Sequence, residues 1–377
     1  MSRSRRNMTY EERQAYRKRK KLIRKIQVYS EIGAISLAII IIGGLIISHI
    51  TGPKDKLAVA AEEETSVSTE ASAEEPNEES KGLKVSAKAA VDPDLAKEEE
   101  PEEEKSTTPY KAKESDDVVT ISGDVVSEYA VLINNDTKEI VGTKNGTEKI
   151  VPASMTKVMT VLVAANNITE EQLDDKVTLS HEAVDYSYAG GGSTSGFVEG
   201  EEVTVRDLFY GTILPSGGDA AAQLAMYVAG DVDSFVDMMN DEVADLGLTG
   251  THFTNPVGFH DENHYSTPYD IAIIMMAALD NDICNEVLNT KVYYSSATNV
   301  NPEGIIISNW FLRRIEDKDI GGTIGGAKTG YVDESGSCAV SSMTTDGGTE
   351  YICCTAKSSS SWQCIFDQVA IYSTYAK

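Results

Sequence analysis

Residues 152–160 read PASMTKVMT, with Ser154 and Lys157 three positions apart. On a helix, positions i and i+3 share a face, so the Lys157 ammonium falls within hydrogen-bond reach of the Ser154 hydroxyl. A serine hydroxyl is a weak nucleophile until a base takes its proton. Lysine serves as that base only when its pKa falls, which burial and a neighbouring cation bring about. The free N–H groups of a helix N-terminus would favour a developing oxyanion at the same place. Alone, the spacing is weak evidence. At average composition SxxK recurs about once per 250 positions, and a plain N-cap is the ordinary reading of such a serine.

Two further stretches add to it. Lys328-Thr329-Gly330 ends a strand candidate in GGAKTGYVDESGS, and LPSGGDAA sets Ser216 at a break between two helices. Residues 118–377 hold thirteen Lys/Arg against thirty-seven Asp/Glu, yet Lys157 and Lys328 both fall in these motifs. In so acidic a domain they are the natural groups to bind a carboxylate. His260 and His264 have HxxxH spacing, but a metalloprotease needs HExxH on a helix, and Pro256 and Gly258 put this stretch in a loop. Structural or surface histidines are expected, with no metal and no cofactor. The five cysteines, Cys284, Cys338, Cys353, Cys354 and Cys364, show no zinc-like spacing. A bridge from Cys338 to Cys353 or Cys354 in neighbouring strands is allowed, but small buried hydrophobes are the favoured reading.

These residues need elements to carry them. EYAVLIN and KEIVGT alternate about an Asn135-Asp136 turn, which predicts a hairpin. A helix is expected from about Ser154 to Ala165, and others across Glu202–Leu214, Asp219–Val228 and Asp231–Leu246, the last stopped by Gly247. Ser266-Thr267-Pro268 caps a helix carrying IAIIMMAAL. IIISN, TIGGAKTG, CAVSSMTT and YICCTAKS are short strand candidates, with Gly347-Gly348 turning between the last two. A closing helix, Ser361–Tyr375, is read with Trp362, Ile365, Phe366, Val369 and Tyr372 on one face. The pattern predicts an α/β (α+β) sandwich, an antiparallel sheet flanked by helices, over residues 118–377.

The front of the chain differs. Residues 1–53 hold eleven Lys/Arg against three Asp/Glu, and Ile32–Ile50 runs nineteen residues without a formal charge. About 20 apolar residues cross a bilayer. The basic tail, residues 1–31, predicts a single-pass span at 32–50 with the N-terminus cytoplasmic and the rest outside the cell. Residues 51–117, rich in runs such as AKEEEPEEEK, predict a disordered acidic linker spanning roughly 45 Å. The overall charge of −27 argues against nucleic acid as a partner.

SxxK, a middle serine and KTG, in this order, resemble the trio of penicillin-binding proteins and class A β-lactamases. With LFYGTILPSGGDAAAQLA, FVDMMNDEVADLGLTGTHFTNPVGF and HYSTPYD added, residues 129–375 resemble the serine D-alanyl-D-alanine carboxypeptidases, the low-molecular-mass penicillin-binding proteins. The resemblance implies a β-lactamase/transpeptidase-like sandwich with a mostly helical subdomain. It implies Ser154 as the acylated nucleophile, Lys157 as its base, and Ser216 as proton shuttle to the leaving D-alanine. Lys328, Thr329, Gly330 and Tyr331 would line the substrate strand. Lys328 and Thr329 would hold the terminal carboxylate, and the N–H groups of Ser154 and Tyr331 would form an oxyanion hole. Peptidoglycan pentapeptide stems are the implied substrate and β-lactams the implied covalent inhibitors.

Two positions depart from the family pattern. Gly218 stands where Ser-x-Asn is usual, and Tyr269 where an arginine assists the carboxylate in many relatives. No C-terminal β domain of the kind many members carry is expected. The departures motivate a second reading, a weakened peptidoglycan-binding sensor. A β-lactamase is the third, disfavoured because no glutamate–asparagine element precedes KTG.

Overall fold

A computed structural model describes residues 109–377. The basic tail, the apolar stretch Ile32–Ile50 and the linker as far as residue 108 lie outside them. Among the described residues no helix is long and apolar enough to cross a membrane.

The chain opens with β1 (Lys113–Thr120), β2 (Tyr129–Asn134) and β3 (Glu139–Lys144). β2 and β3 form the expected hairpin, in which Asn134 Oδ1 accepts from the N–H groups of Asp136 and Thr137. A 3₁₀ turn, Ala153–Met155, leads into α1 (Thr156–Ala165). A short ribbon of β4 (Lys176–Thr178) and β5 (Glu202–Thr204) brackets α2 (His181–Ala189). The helical lobe continues with α3 (Val205–Ile213), α4 (Gly218–Ala229), α5 (Val232–Asp245), α6 (Pro268–Leu279) and α7 (Asp282–Asn289). A second ribbon, β6 (Val292–Tyr294) with β7 (Ile306–Ser308), precedes α8 (Leu312–Ile315). β8 (Gly322–Val332), β9 (Gly336–Thr345), β10 (Glu350–Ser358) and α9 (Ser361–Tyr375) close the domain.

The main sheet runs β1-β3-β2-β10-β9-β8. It is not wholly antiparallel, because β1 lies parallel to β3 along the edge. That strand also moves the domain boundary. Composition ends the linker at residue 117, yet pairing starts at Lys113 opposite Glu139. KESDD has no apolar period because an edge strand with both faces largely exposed needs none; its backbone bonds hold it.

Alternation along the strands builds two cores. Val131, Ile133, Val340, Ile352 and Cys354 face α1 and α6, while Leu132, Ala339, Met343 and Cys353 face α9. Every residue of α1 is buried, the polar Thr156, Lys157 and Thr160 included. The helix read across Glu202–Leu214 begins instead at Val205. Glu-Val-Thr alternates into β5, and Thr204 then forms a capping box with Asp207. α9 is rotated from its predicted face. Ile365, Gln368, Ile371 and Tyr372 point inward, whereas Trp362 and Phe366 are 47% and 46% exposed. The two outer rings instead lie beside each other, with Trp310 edge-on to Trp362 and Arg314 over Trp310.

Candidate active site

Ser154 occupies the 3₁₀ turn ahead of α1, where helix N–H groups lack intrahelical acceptors. The preceding Ala153 has φ 45°, a left-handed conformation that a non-glycine residue keeps only when its surroundings impose it. Two glycines from remote segments pack against this turn. A Cβ on Gly258 would lie 1.9 Å from the Ala153 carbonyl oxygen, and one on Gly330 would lie 2.9 Å from Ser154 N. The last residue of KTG is thus glycine because β8 runs directly against the Ser154 backbone.

Lys157 projects beside Ser154 as the spacing predicts. Its Nζ lies 2.9 Å from Ser154 Oγ and donates to the Val257 carbonyl at 2.7 Å. The side chain is only 2% exposed. Burial first, then the charge of Lys328, holds its pKa well below the ordinary lysine range, against an opposing pull from Asp219. A lysine so placed reaches its neutral, basic form at a lower pH than a surface lysine.

The Val257 carbonyl is aimed by a tight loop. Asn255 Oδ1 accepts from the N–H groups of Val257, Gly258 and Phe259, and its Nδ2 donates to the Phe259 carbonyl. His264 joins this loop to α1. Thr254 N donates to His264 Nδ1 at 3.1 Å, so the remaining proton sits on Nε2 and is donated to Thr156 Oγ1 at 2.8 Å. Burial draws the His264 pKa down to about 4. Both ring nitrogens of His264 are occupied, so it serves as scaffold, whereas His260 lies exposed in the same loop.

Ser216 also takes a left-handed φ, 65°. Lys328 Nζ donates to Ser216 Oγ at 2.9 Å and to the Thr329 carbonyl at 2.7 Å. Lys328 is 1% exposed, and burial lowers its pKa to about 7, with the Cys338 thiol pulling the other way. Asp219 anchors the start of α4: its carboxylate accepts from Ser195 N and Ser195 Oγ. Thr329 and Gly330 continue the strand, and Tyr331 is exposed, its hydroxyl donating to Asp333. All five cysteines are free and buried. Cys338 lies under the motif, its Sγ 3.3 Å from the Gly330 carbonyl.

The three motifs therefore meet, while Tyr269 stands apart. Its hydroxyl accepts from Ala112 N and donates to the Ala112 carbonyl. As the second residue of α6 it clamps the lead-in to β1. His264 is the structural histidine expected, whereas the parts played by Val257, Asn255, Gly258 and Asp219 escape sequence reasoning. Val257 contributes only a backbone carbonyl, and the others act by shaping backbone.

Residues 112–357 match the Peptidase S11 family, D-alanyl-D-alanine carboxypeptidase. The chain is 36% identical over 234 residues to the D-alanyl-D-alanine carboxypeptidase of Streptomyces sp. strain K15, covering 59% of this chain and 78% of that one. It is 33% identical over 218 residues to the D-alanyl-D-alanine carboxypeptidase DacF of Bacillus subtilis strain 168, covering 57% of this chain. It spans 54% of DacF, about half that relative's length. The crystal structure of the Streptomyces K15 DD-transpeptidase is similar with a TM-score of 0.60 at 31% identity, over 67% of this chain and 98% of that one. Three chain-distant motifs converging on one cleft, and similarity that runs through all of them, make this chain a member of the D-alanyl-D-alanine carboxypeptidase family of serine peptidases.

Proposed function

We propose that this protein removes the terminal D-alanine from peptidoglycan stem peptides through an acyl-enzyme on Ser154. The observation that carries the reading is the buried Lys157 Nζ, 2.9 Å from Ser154 Oγ and lowered in pKa by burial and by Lys328. Neutral Lys157 takes the Ser154 proton while one N–H stays on the Val257 carbonyl. Ser154 Oγ then attacks the carbonyl carbon of the penultimate D-alanine. The N–H groups of Ser154 and Tyr331 take the oxyanion; one such donor is worth about 3 kcal/mol. Lys328 and Thr329 hold the terminal carboxylate. Ser216, hydrogen-bonded to Lys328, passes a proton to the departing D-alanine nitrogen, and water hydrolyses the ester. A β-lactam opens on the same serine but keeps its leaving group attached, so its acyl-enzyme persists.

The sequence supports a location as well. Ile32–Ile50 anchors the chain with its basic N-terminus in the cytoplasm and the peptidase domain outside.

Intact mass after benzylpenicillin should show one adduct, on the peptide carrying Ser154. A D-Ala-D-Ala peptide should release D-alanine, and Ser154→Ala should abolish both reactions. Labelling that persists in Ser154→Ala would remove this serine from the mechanism. Peptide binding without release would favour the sensor reading, which Gly218 motivates, and fast nitrocefin turnover would favour a β-lactamase. An acceptor amine in the same assay checks transpeptidation, the activity for which the Streptomyces K15 structure is named.

A further inference from the structure

Gly218 is the first residue of α4, and its φ is not in the left-handed region. Backbone conformation therefore does not demand glycine there. Space does. A Cβ at 218 would lie 2.6 Å from Ser187 Oγ and 3.2 Å from Ser187 Cβ. Because Cβ is fixed by the backbone, it is the Ser187 hydroxyl that must turn away to admit a side chain at 218.

Ser187 is 1% exposed, near the end of α2, and its hydroxyl donates to the Ser193 carbonyl at 3.1 Å. The same carbonyl accepts from Gly218 N at 2.7 Å, while Gly192 N donates to the Ser187 carbonyl at 2.8 Å. One residue on, Asp219 holds Ser195 by its N–H and its hydroxyl. The segment from Gly190 to Gly196 is thus fastened to the start of α4 on one side and to Ser187 on the other. Ser216 lies two residues before Gly218 and meets Lys328, and the Asp219 charge acts on Lys157.

We propose that Ser187 and Gly218 form a matched pair, with Ser187 a positioning residue for acylation. Its hydroxyl fills the volume that a side chain at 218 would enter, and so fixes where the turn into α4 places Ser216 and where its first turn places Asp219. Gly218 is then not an asparagine lost from a working cleft. It is the residue that the Ser187 hydroxyl requires. An asparagine restored at 218 alone must push Ser187 off the Ser193 carbonyl and tilt the start of α4. The proposal rests on the acyl-enzyme reading for its kinetic arm only.

The test is a double-mutant cycle in the full chain, using Gly218→Ala, Gly218→Asn, Ser187→Gly and the two double variants. Gly218→Ala adds nothing but the Cβ, so it reports the contact even if Gly218→Asn fails to fold. Each Gly218 variant alone should slow benzylpenicillin acylation at least tenfold. It should also displace the pH midpoint of the acylation rate, because Asp219 moves relative to Lys157. Ser187→Gly alone, which removes the positioning hydroxyl, should slow acylation about three- to fivefold, and each double variant should be faster than its Gly218 parent and no slower than Ser187→Gly. Loss of melting temperature with rate and pH profile intact would reduce the pair to packing and overturn the positioning role. Gly218→Asn acylating as fast as wild type, or double variants no faster than their Gly218 parents, would overturn the pair itself. A wild type that penicillin never labels would instead sink the acyl-enzyme reading and the positioning role with it, while non-additive melting temperatures would still show the pair.

Discussion

Lys157 and Lys328 are two buried amines within one cleft, and the proposed mechanism asks opposite protonation states of them. Lys157 must be neutral to take a proton, and its pKa is lowered by burial and by Lys328. Lys328 must be charged to hold a carboxylate, and burial brings it down to about 7. Second-order acylation by a carboxylate-bearing β-lactam should therefore be bell-shaped in pH, with both limbs belonging to the coupled pair. Lys157→Arg should lose about 10²–10⁴-fold in acylation, since guanidinium cannot act as the base. An active arginine variant in a stopped-flow assay would assign the proton to another group. His264 makes a separate prediction about stability. Its folded pKa is about 4 against an ordinary 6.5. The unfolded chain takes up this proton first, so stability should fall as pH drops from about 6.5 to about 4, by about 3 kcal/mol in all, and this group should cost nothing further below that. Denaturant titrations across the range should show the slope in wild type and lose that part of it in His264→Gln.

The loop Thr254–Phe259 matters more than its sequence suggests. Gly258 has φ 90°, and an added Cβ would meet the Ala153 carbonyl at 1.9 Å. Gly258→Ala should cost at least about 3 kcal/mol through strain and displacement. Penicillin labelling should fall at least 100-fold while Lys157 and Ser154 remain chemically intact. Full labelling of this variant would mean that the nucleophile's turn does not depend on the loop. SxxK and KTG are legible in the sequence because their chemistry resides in side chains at fixed local spacing. The loop is not, because what it delivers is a backbone carbonyl and a close approach. Residue identity hardly encodes the first, and encodes the second only as a glycine among many. Ser187 is hidden for another reason: it becomes meaningful only when α2 and α4 meet, thirty-one residues apart in sequence.

At the scale of the whole domain, the hairpin, the late strands and the closing helix follow from alternation and caps. β1 does not, since pairing through backbone leaves no apolar period. Its parallel bonds to β3 and the Tyr269 clamp on Ala112 tie the entry of the chain to α6. A domain cut before Val118 loses the Tyr269 clamp and the pairings of Lys113 and Glu114, keeping those of Val119 and Thr120, and should be less stable than one beginning at Pro109 by about 2 kcal/mol, or about 4–8 °C in melting temperature. Equal melting of the two would show that the first half of β1 adds nothing to the fold. The closing helix is fastened similarly. Asp367 accepts from Val126 N, Ser127 N and the hydroxyls of Ser127 and Ser358, joining the two ends of the domain.

The contacts that seat Ser154 come from the Val257–Gly258 loop and from Gly330, and those that lower the Lys157 pKa include the charge of Lys328. None of these is near in sequence, so under the proposed mechanism a peptide or partial fold containing PASMTK should not be acylated. Covalent labelling by penicillin then acts as a census: each tagged molecule is one in which the remote segments had already assembled. The tagged fraction along a denaturant series should follow the native population without any optical probe.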